Sequence, residues 1–223
     1  MITAERMYVA RPASANGAAI LVFQEAFGVN GYIRDIADRF ARLGLVAVAP
    51  ELYHRTAGPG YEAPYGSDGW REHMAALTPE GLLQDARSAF AVAAGQAGVE
   101  AKRIGCIGFC MGGRVSYLAN AALDLRAAIS FYGGGIAPNL LDRAKEQHGP
   151  LLMFWAGKDA HIPAEQYRAV SDALSAAGKA HEQVLFSHAD HGFFCDQRAS
   201  YNASASEQAW SLTQTFLKVN GLL

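Results

Sequence analysis

The 223-residue chain lacks the features that mark an exported or membrane-embedded protein. The opening stretch, residues 1–6, carries a charged pair where a signal peptide would have its apolar segment. No apolar run reaches the roughly 18 residues that a membrane-spanning helix needs. We therefore expect no membrane partner.

Cysteine and charge are also scarce. Three cysteines cannot all pair with one another, and an odd count without a secretion signal is typical of a reducing compartment, so we expect a cytoplasmic protein. Charged residues make up 18% of the chain, below the usual value of about 25%. The net charge of −2, with no basic stripe, argues against a nucleic-acid partner.

What the chain does have is 51% hydrophobic residues in short runs that alternate with helix-like segments. The runs read as strands at 19–23, 45–49, 103–108, 127–131, 151–156 and 182–186. Helical spacing is found at 32–43, 112–122, 164–177 and 204–219. Strand–helix alternation predicts an α/β fold, with a mostly parallel central sheet and helices on both faces, in a single domain over 1–223.

One segment, 51–78, has no clear periodicity and is rich in glycine, proline and aromatic residues. Irregular connections of this length are uncommon in compact domains and often form lids or binding loops. We expect either a lid or a surface excursion without a role.

The strand at 103–108 runs into Gly108-Phe109-Cys110-Met111-Gly112 and then into a helix. In such a nucleophile elbow, a sharp turn lifts a serine or cysteine above the sheet, and the flanking glycines prevent steric collisions. The helix start favours a thiolate and an oxyanion. We predict that Cys110 is a nucleophile and that Cys106, inside the strand, is an inert core thiol.

A carboxylate and an imidazole follow in the order that α/β-hydrolases use. Asp159 comes after the strand at 151–156, and His191 after the strand at 182–186. Because parallel strands end at one edge of the sheet, both can converge on Cys110. A thiol with pKa about 8.5 needs a base, an imidazole can supply it, and a carboxylate can orient the imidazole.

Two histidines compete with His191 for the role of base. His188 lies three residues earlier but lacks the glycine that follows His191, and His161 follows Asp159 too closely for the usual arrangement. His188 and His191 could also suggest a metal site, but further ligands at readable spacing are missing. We therefore expect no metal.

Four motifs together resemble the dienelactone hydrolase family over about 18–217. They are 24–30 (QEAFGVN), 108–113 (GFCMGG), 157–159 (GKD) and 191–193 (HGF). The resemblance implies an α/β-hydrolase fold, a Cys-His-Asp triad and no cofactor. It also implies that Glu25 interacts with the nucleophile, and that the backbone N–H groups of Ala26 and Met111 form an oxyanion hole.

The chain departs from this family where the substrate carboxylate would be held, because no arginine follows His191 closely. Arg198 and Arg71 are the candidates for this contact, with Arg55 a further one, although arginines more often lie on solvated faces. Aromatic residues near strand ends could form an apolar wall of the pocket: Tyr132, Trp155 and Phe193.

The function expected from these residues is hydrolysis of a small lactone or ester through an acyl-enzyme, by a monomer or small homo-oligomer. A general carboxylesterase for small esters is the alternative within the same class. A catalytically silent binding module with the same fold is the alternative outside it.

Overall fold

A computed structural model describes residues 2–223. Its seven strands form one sheet in the order β1-β3-β2-β4-β5-β6-β7. Their bounds are β1 Met7–Ala10, β2 Ala19–Phe23, β3 Val46–Pro50, β4 Ile104–Phe109, β5 Ala128–Phe131, β6 Leu151–Ala156 and β7 His181–Phe186. Only β1 is antiparallel to its neighbour; the other pairs are parallel.

Six α-helices accompany the sheet. They are α1 Gly31–Arg42, α2 Arg71–Ala75, α3 Pro79–Ala94, α4 Met111–Asn120, α5 Ala164–Ala176 and α6 Ala203–Val219. The connection from β2 to β3 through α1 and the one from β3 to β4 through α3 run in opposite directions across the sheet. Right-handed crossovers therefore place α1 and α3 on opposite faces. Phe40 of α1 packs on Trp210 of α6, with ring centroids 5.2 Å apart.

The central strands are buried along their whole length because helices cover both faces of the sheet. This explains why β2 and β6 read as continuous apolar runs rather than alternating ones. Local signals set the helix limits as well. The side chain of Asn30 accepts a hydrogen bond from the Ile33 N–H at the start of α1, and Gly44 follows the helix at a φ of 95°.

The predicted mostly parallel α/β sheet is confirmed, and each predicted strand and helix agrees with the structure to within two residues at either end. Three elements were missed: β1, α3 and the five-residue α2. β1 is a four-residue edge strand, too short for a clear pattern, and α3 is an alanine-rich helix with few large apolar residues to mark its face. No helix among residues 2–223 has the length and hydropathy that crossing a bilayer requires.

The 51–78 segment differs from its description as wholly irregular, since it contains α2. Its first part is tied firmly to the body of the protein. Asp85 of α3 is fully buried and contacts His54 at 3.0 Å and Arg55 at 2.6 Å. Further along, Gly28 and Glu62 form an isolated antiparallel bridge. The segment therefore packs beside the residues that follow β2.

Candidate active site

Cys110 lies between β4 and α4 with a φ of 55° and a ψ of −118°, a conformation that L-residues rarely adopt. The turn is possible because its neighbours have no side chains. A Cβ on Gly108 would collide with the carbonyl of Gly112, and a Cβ on Gly112 with the carbonyl of Phe23. The Cys110 N–H donates to the Phe131 carbonyl at 3.0 Å. The backbone thus holds the thiol above the carboxyl edge of the sheet.

Two backbone segments meet beside this thiol. Met111 is the first residue of α4, so its N–H has no partner within the helix. Ala26 follows β2 and is buried, and the close approach of Gly112 to the carbonyls of Phe23 and Gln24 packs the helix start against it. Within the described residues, the N–H groups of Ala26 and Met111 donate to no backbone carbonyl. Beside Cys110, both N–H groups are therefore without a backbone acceptor in residues 2–223.

The loops after β6 and β7 bring Asp159 and His191 together. Their Oδ2 and Nδ1 atoms are 2.6 Å apart, and the Asp159 side chain is only 1% exposed. Asp159 Oδ1 accepts the backbone N–H of His161 at 2.8 Å. Of the three histidines considered, His191 is therefore the one whose ring meets the carboxylate, while His188 is exposed.

Electrostatics couple this histidine to the cysteine. Burial lowers the pKa of His191, but side-chain hydrogen bonds with Asp159 and Cys110, and their negative charges, raise it to about 10. The pKa of Asp159 is lowered: burial alone would raise it, and the hydrogen bond and charge of His191 outweigh that effect. Cys106 differs sharply, since burial raises its pKa to about 12. Its predicted core position is confirmed.

Glu25 is a buried carboxylate at the same edge, 1% exposed. Arg198 Nη1 donates to Glu25 Oε1 at 3.1 Å, and Oε2 has no partner among the described residues. Burial raises the pKa of Glu25, and the charges of Arg198 and His191 oppose the rise. Arg198, one of the arginine candidates, thus reaches inward, and its partner in the structure is Glu25. Glu25 keeps one open oxygen near the triad.

The other predicted substrate contacts separate into two groups. The Tyr132 ring is 5.0 Å from the His191 ring, and the Phe193 ring is 5.4 Å from that of Tyr132, so both residues lie on the side of His191. Trp155 donates to Gln183 at 3.0 Å and stacks on a ring of α5, so its side chain belongs to the core. Arg71 is largely exposed and pairs with a neighbouring carboxylate at 2.6 Å. Neither Trp155 nor Arg71 is brought to the triad.

Arg114 was missed at the sequence level. It lies one helical turn after Cys110, on the same face, and helical side chains lean toward the N-terminus. The Arg114 guanidinium lies against Gly135, where a Cβ would be 2.9 Å from Nη1. Burial and the charge of Cys110 raise the pKa of Tyr53, and the charge of Arg114 opposes the rise. No arginine ion pair among residues 2–223 includes Arg114. The i, i+4 spacing could have revealed it.

The chain is similar to known proteins over almost its whole length. The model of the Dienelactone hydrolase family matches residues 6–220. The "Putative carboxymethylenebutenolidase" of Synechocystis is 37% identical, over 95% of this chain and 92% of its own. The Escherichia coli K12 protein of the same name is 33% identical, over 96% and 82%. The crystal structure of a "Putative Dienelactone Hydrolase" from Klebsiella pneumoniae is 32% identical, with a TM-score of 0.86 over 95% and 92%.

The sheet order, the elbow after β4 and the loops after β6 and β7 define an α/β-hydrolase fold. The chain belongs to the dienelactone hydrolase family. It is a hydrolase of the ester and lactone type.

Proposed function

We propose that the protein hydrolyses a small lactone or ester with Cys110 as nucleophile, His191 as acid and base, and Asp159 as its orienting carboxylate. The observation that supports this best is the coupling of three groups at one edge of the sheet. A strained cysteine at the head of α4 acts on a histidine whose other side contacts a buried carboxylate at 2.6 Å. Nucleophile, base and orienter in this relation are what covalent catalysis requires.

In the first half-reaction, the Cys110 thiolate attacks the substrate carbonyl and a carbon–sulfur bond forms. The oxyanion accepts hydrogen bonds from the N–H groups of Ala26 and Met111. Each such donor stabilises the transition state by about 3–4 kcal/mol. His191, protonated at neutral pH because its pKa is about 10, gives its proton to the leaving alkoxide as the carbon–oxygen bond breaks. An acyl-enzyme results.

In the second half-reaction, the same histidine works as a base. Two of the influences that raise its pKa come from Cys110, through hydrogen bonding and charge. Acylation removes both, because a thioester sulfur carries no negative charge. The pKa of His191 then falls, so the imidazole can take a proton from water as the water attacks the thioester. The tetrahedral intermediate collapses, the thiolate leaves and the carboxylic acid is released.

We propose a dienelactone or related small lactone as the leading substrate, and a simple carboxylic ester as the alternative. A substrate carboxylate would find positive charge from Arg114, and from Arg198 if substrate competes with Glu25. The open Oε2 of Glu25 supports a role near the nucleophile, as the family resemblance implies. Residues 51–78, beside the residues after β2, are proposed as a lid.

We also propose that the enzyme acts in a reducing compartment, the cytoplasm, because a catalytic thiol must stay unoxidised. It needs only a small-molecule partner, with no nucleic acid, membrane or cofactor, and acts as a monomer or small homo-oligomer. A catalytically silent binding module of the same fold is the alternative, in which Cys110 would have no role in turnover.

The test is the rate of dienelactone hydrolysis by wild type and by Cys110→Ala at equal concentration. Turnover by wild type that falls about 10⁴-fold or more in the variant is expected. Turnover that survives the substitution would rule out Cys110 as nucleophile. Wild type without activity on dienelactone or on simple esters would favour the binding module. Cys106→Ala is the matched control, and it should retain activity.

A further inference from the structure

We propose that Gln24 and Tyr53 are positioning residues that clamp the oxyanion-hole segment, holding the Ala26 N–H in the orientation that meets the substrate oxygen. This inference rests on the proposed function. Neither residue touches the substrate in this role, since both act through the backbone that follows β2. We call the pair the oxyanion clamp.

Gln24 controls the peptide that carries the Ala26 N–H. Its side chain is 1% exposed. Its Nε2 donates to the carbonyl of Glu25 at 3.2 Å, and its Oε1 accepts the Leu52 N–H at 3.0 Å. The Glu25 carbonyl and the Ala26 N–H belong to one planar trans peptide and point in opposite directions. Fixing the carbonyl therefore aims the N–H.

Tyr53 holds the next peptide of the same segment. Its hydroxyl donates to the Ala26 carbonyl at 3.0 Å and lies 3.8 Å from the sulfur of Met111. One hydroxyl thus contacts the two residues whose N–H groups would form the oxyanion hole. The residue is buried, and its ring packs against His73 with centroids 5.5 Å apart. The contacts of the hydroxyl and the packing of the ring together fix the position of the hydroxyl.

The two contacts act from one neighbouring backbone, because Leu52 and Tyr53 are consecutive residues just after β3. With Gln24 held by Leu52 and Ala26 held by Tyr53, two successive peptides are oriented before substrate arrives. An oxyanion hole is effective because its donors need no reorganisation during reaction. The clamp supplies this rigidity in a loop that has no regular secondary structure of its own.

Two variants test the clamp. Gln24→Met removes the amide and keeps the length of the side chain, and Tyr53→Phe removes only the hydroxyl. Tyr117→Phe is the control, because it deletes another buried tyrosine hydroxyl on the far part of α4. Three quantities are measured: ester kcat (with KM recorded in the same assay), the inhibition constant of a trifluoromethyl ketone whose thiolate adduct carries an oxyanion, and the rate of Cys110 alkylation by iodoacetamide.

We expect kcat to fall about 10- to 100-fold in each variant, part of the loss that removing a donor outright causes, with KM within about threefold. The inhibition constant of the ketone should rise by a similar factor. The alkylation rate should stay within about twofold, since alkylation forms no oxyanion. Tyr117→Phe should leave all three quantities unchanged.

Unchanged kcat in Tyr53→Phe would overturn the proposal, as would a loss of alkylation equal to the loss of kcat, which indicates general damage. If Gln24→Met does not fold, Tyr53→Phe decides alone. Wild type that hydrolyses no ester and shows no selective Cys110 alkylation would instead overturn the proposed function, and the clamp with it. The failure of the clamp alone leaves wild-type turnover and its dependence on Cys110 intact.

Discussion

Among residues 2–223, two histidine–aspartate pairs have a ring nitrogen and a carboxylate oxygen within 3.0 Å, and the surroundings of the two pairs differ. His191 and Asp159 are 2.6 Å apart in loops at the carboxyl edge of the sheet, and His54 and Asp85 are 3.0 Å apart between the start of the 51–78 segment and α3. Asp85 is fully buried, and Arg55 contacts both of its oxygens, at 2.6 and 2.8 Å. Its hydrogen-bonding capacity is taken up inside the protein.

Residue types and distance alone therefore do not separate a structural histidine–aspartate pair from one at a candidate active site. Asp85 of α3 contacts His54 and forms an ion pair with the Arg55 guanidinium. These contacts attach the start of the 51–78 segment to α3. His191 instead contacts a carboxylate at 2.6 Å, and the nearby strained cysteine helps to raise its pKa. The candidate site is distinguished by Cys110, a side chain near the histidine that could still react with a substrate.

The largest contrast is expected from replacing the two histidines. His191→Gln should lower kcat/KM about 10⁴-fold or more, because glutamine cannot carry a proton between thiol and leaving group. His54→Gln should stay within about threefold of wild type and lower the unfolding temperature slightly. Ester hydrolysis and thermal unfolding measure both. Comparable activity losses in the two variants would contradict the assignment of turnover to His191 and of a structural role to His54.

Replacing the two aspartates should have opposite consequences: a loss of activity for Asp159 and a loss of stability for Asp85. Asp159→Asn is expected to lower kcat about 10²- to 10⁴-fold, since the amide no longer orients and charges the imidazole. Asp85→Asn should keep kcat and lose about 1–3 kcal/mol of unfolding free energy, because Arg55 loses charged hydrogen bonds. Urea unfolding and steady-state kinetics test the pair, and an inactive but stable Asp85→Asn protein would contradict it.

The pH dependence of stability should reveal the raised pKa of His191. The folded value is about 10, above the unfolded value of about 6.5. Its contribution to stability is therefore complete below pH about 6.5, decreases as the pH rises and is lost above about 10. Urea unfolding between pH 6 and 10 should show this decline in wild type and a weaker one in Asp159→Asn. Identical slopes would exclude the assignment.

The smallest effect concerns substrate charge. Arg114→Gln should raise KM about tenfold for a lactone that bears a carboxylate and leave KM for its neutral methyl ester unchanged. Arg71→Gln is the matched control, because that side chain is exposed and paired with Asp68. Kinetics with the two substrates distinguish the variants. An equal effect of Arg114→Gln on both substrates would count against a charge contact.

Much of the fold was accessible from sequence because buried parallel strands and helix ends leave local signatures. The runs that became β2, β4 and β6 are apolar on both faces, and Gly44 ends α1 where expected. β1 and α3 were not predicted. Four residues are too few to show a hydrophobic period, and an alanine-rich helix has little contrast between an apolar and a polar face. α2 lies in a stretch where turn residues dominate the pattern.

The site residues could also be predicted where a local pattern marks them, and not where a contact joins distant parts of the chain. Cys110, Asp159 and His191 could be proposed from sequence, since each directly follows a recognisable strand and parallel strands end at one edge. Arg198 could be named, but not its pairing with Glu25 across 173 positions. Trp155 could be named near a strand end, but a residue there can turn toward either face of the sheet, and packing on α5 decides which.

The sequence by itself determined the α/β architecture, the turn at Cys110 and the order of Cys110, Asp159 and His191 after their strands, because these depend on local propensity and on where strands end. Only the tertiary structure decided which histidine meets Asp159, which carboxylate Arg55 neutralises and how Leu52 and Tyr53 reach Gln24 and Ala26. Such contacts join residues far apart in the chain, and their geometry follows from the packing of whole elements rather than from any short pattern of residues.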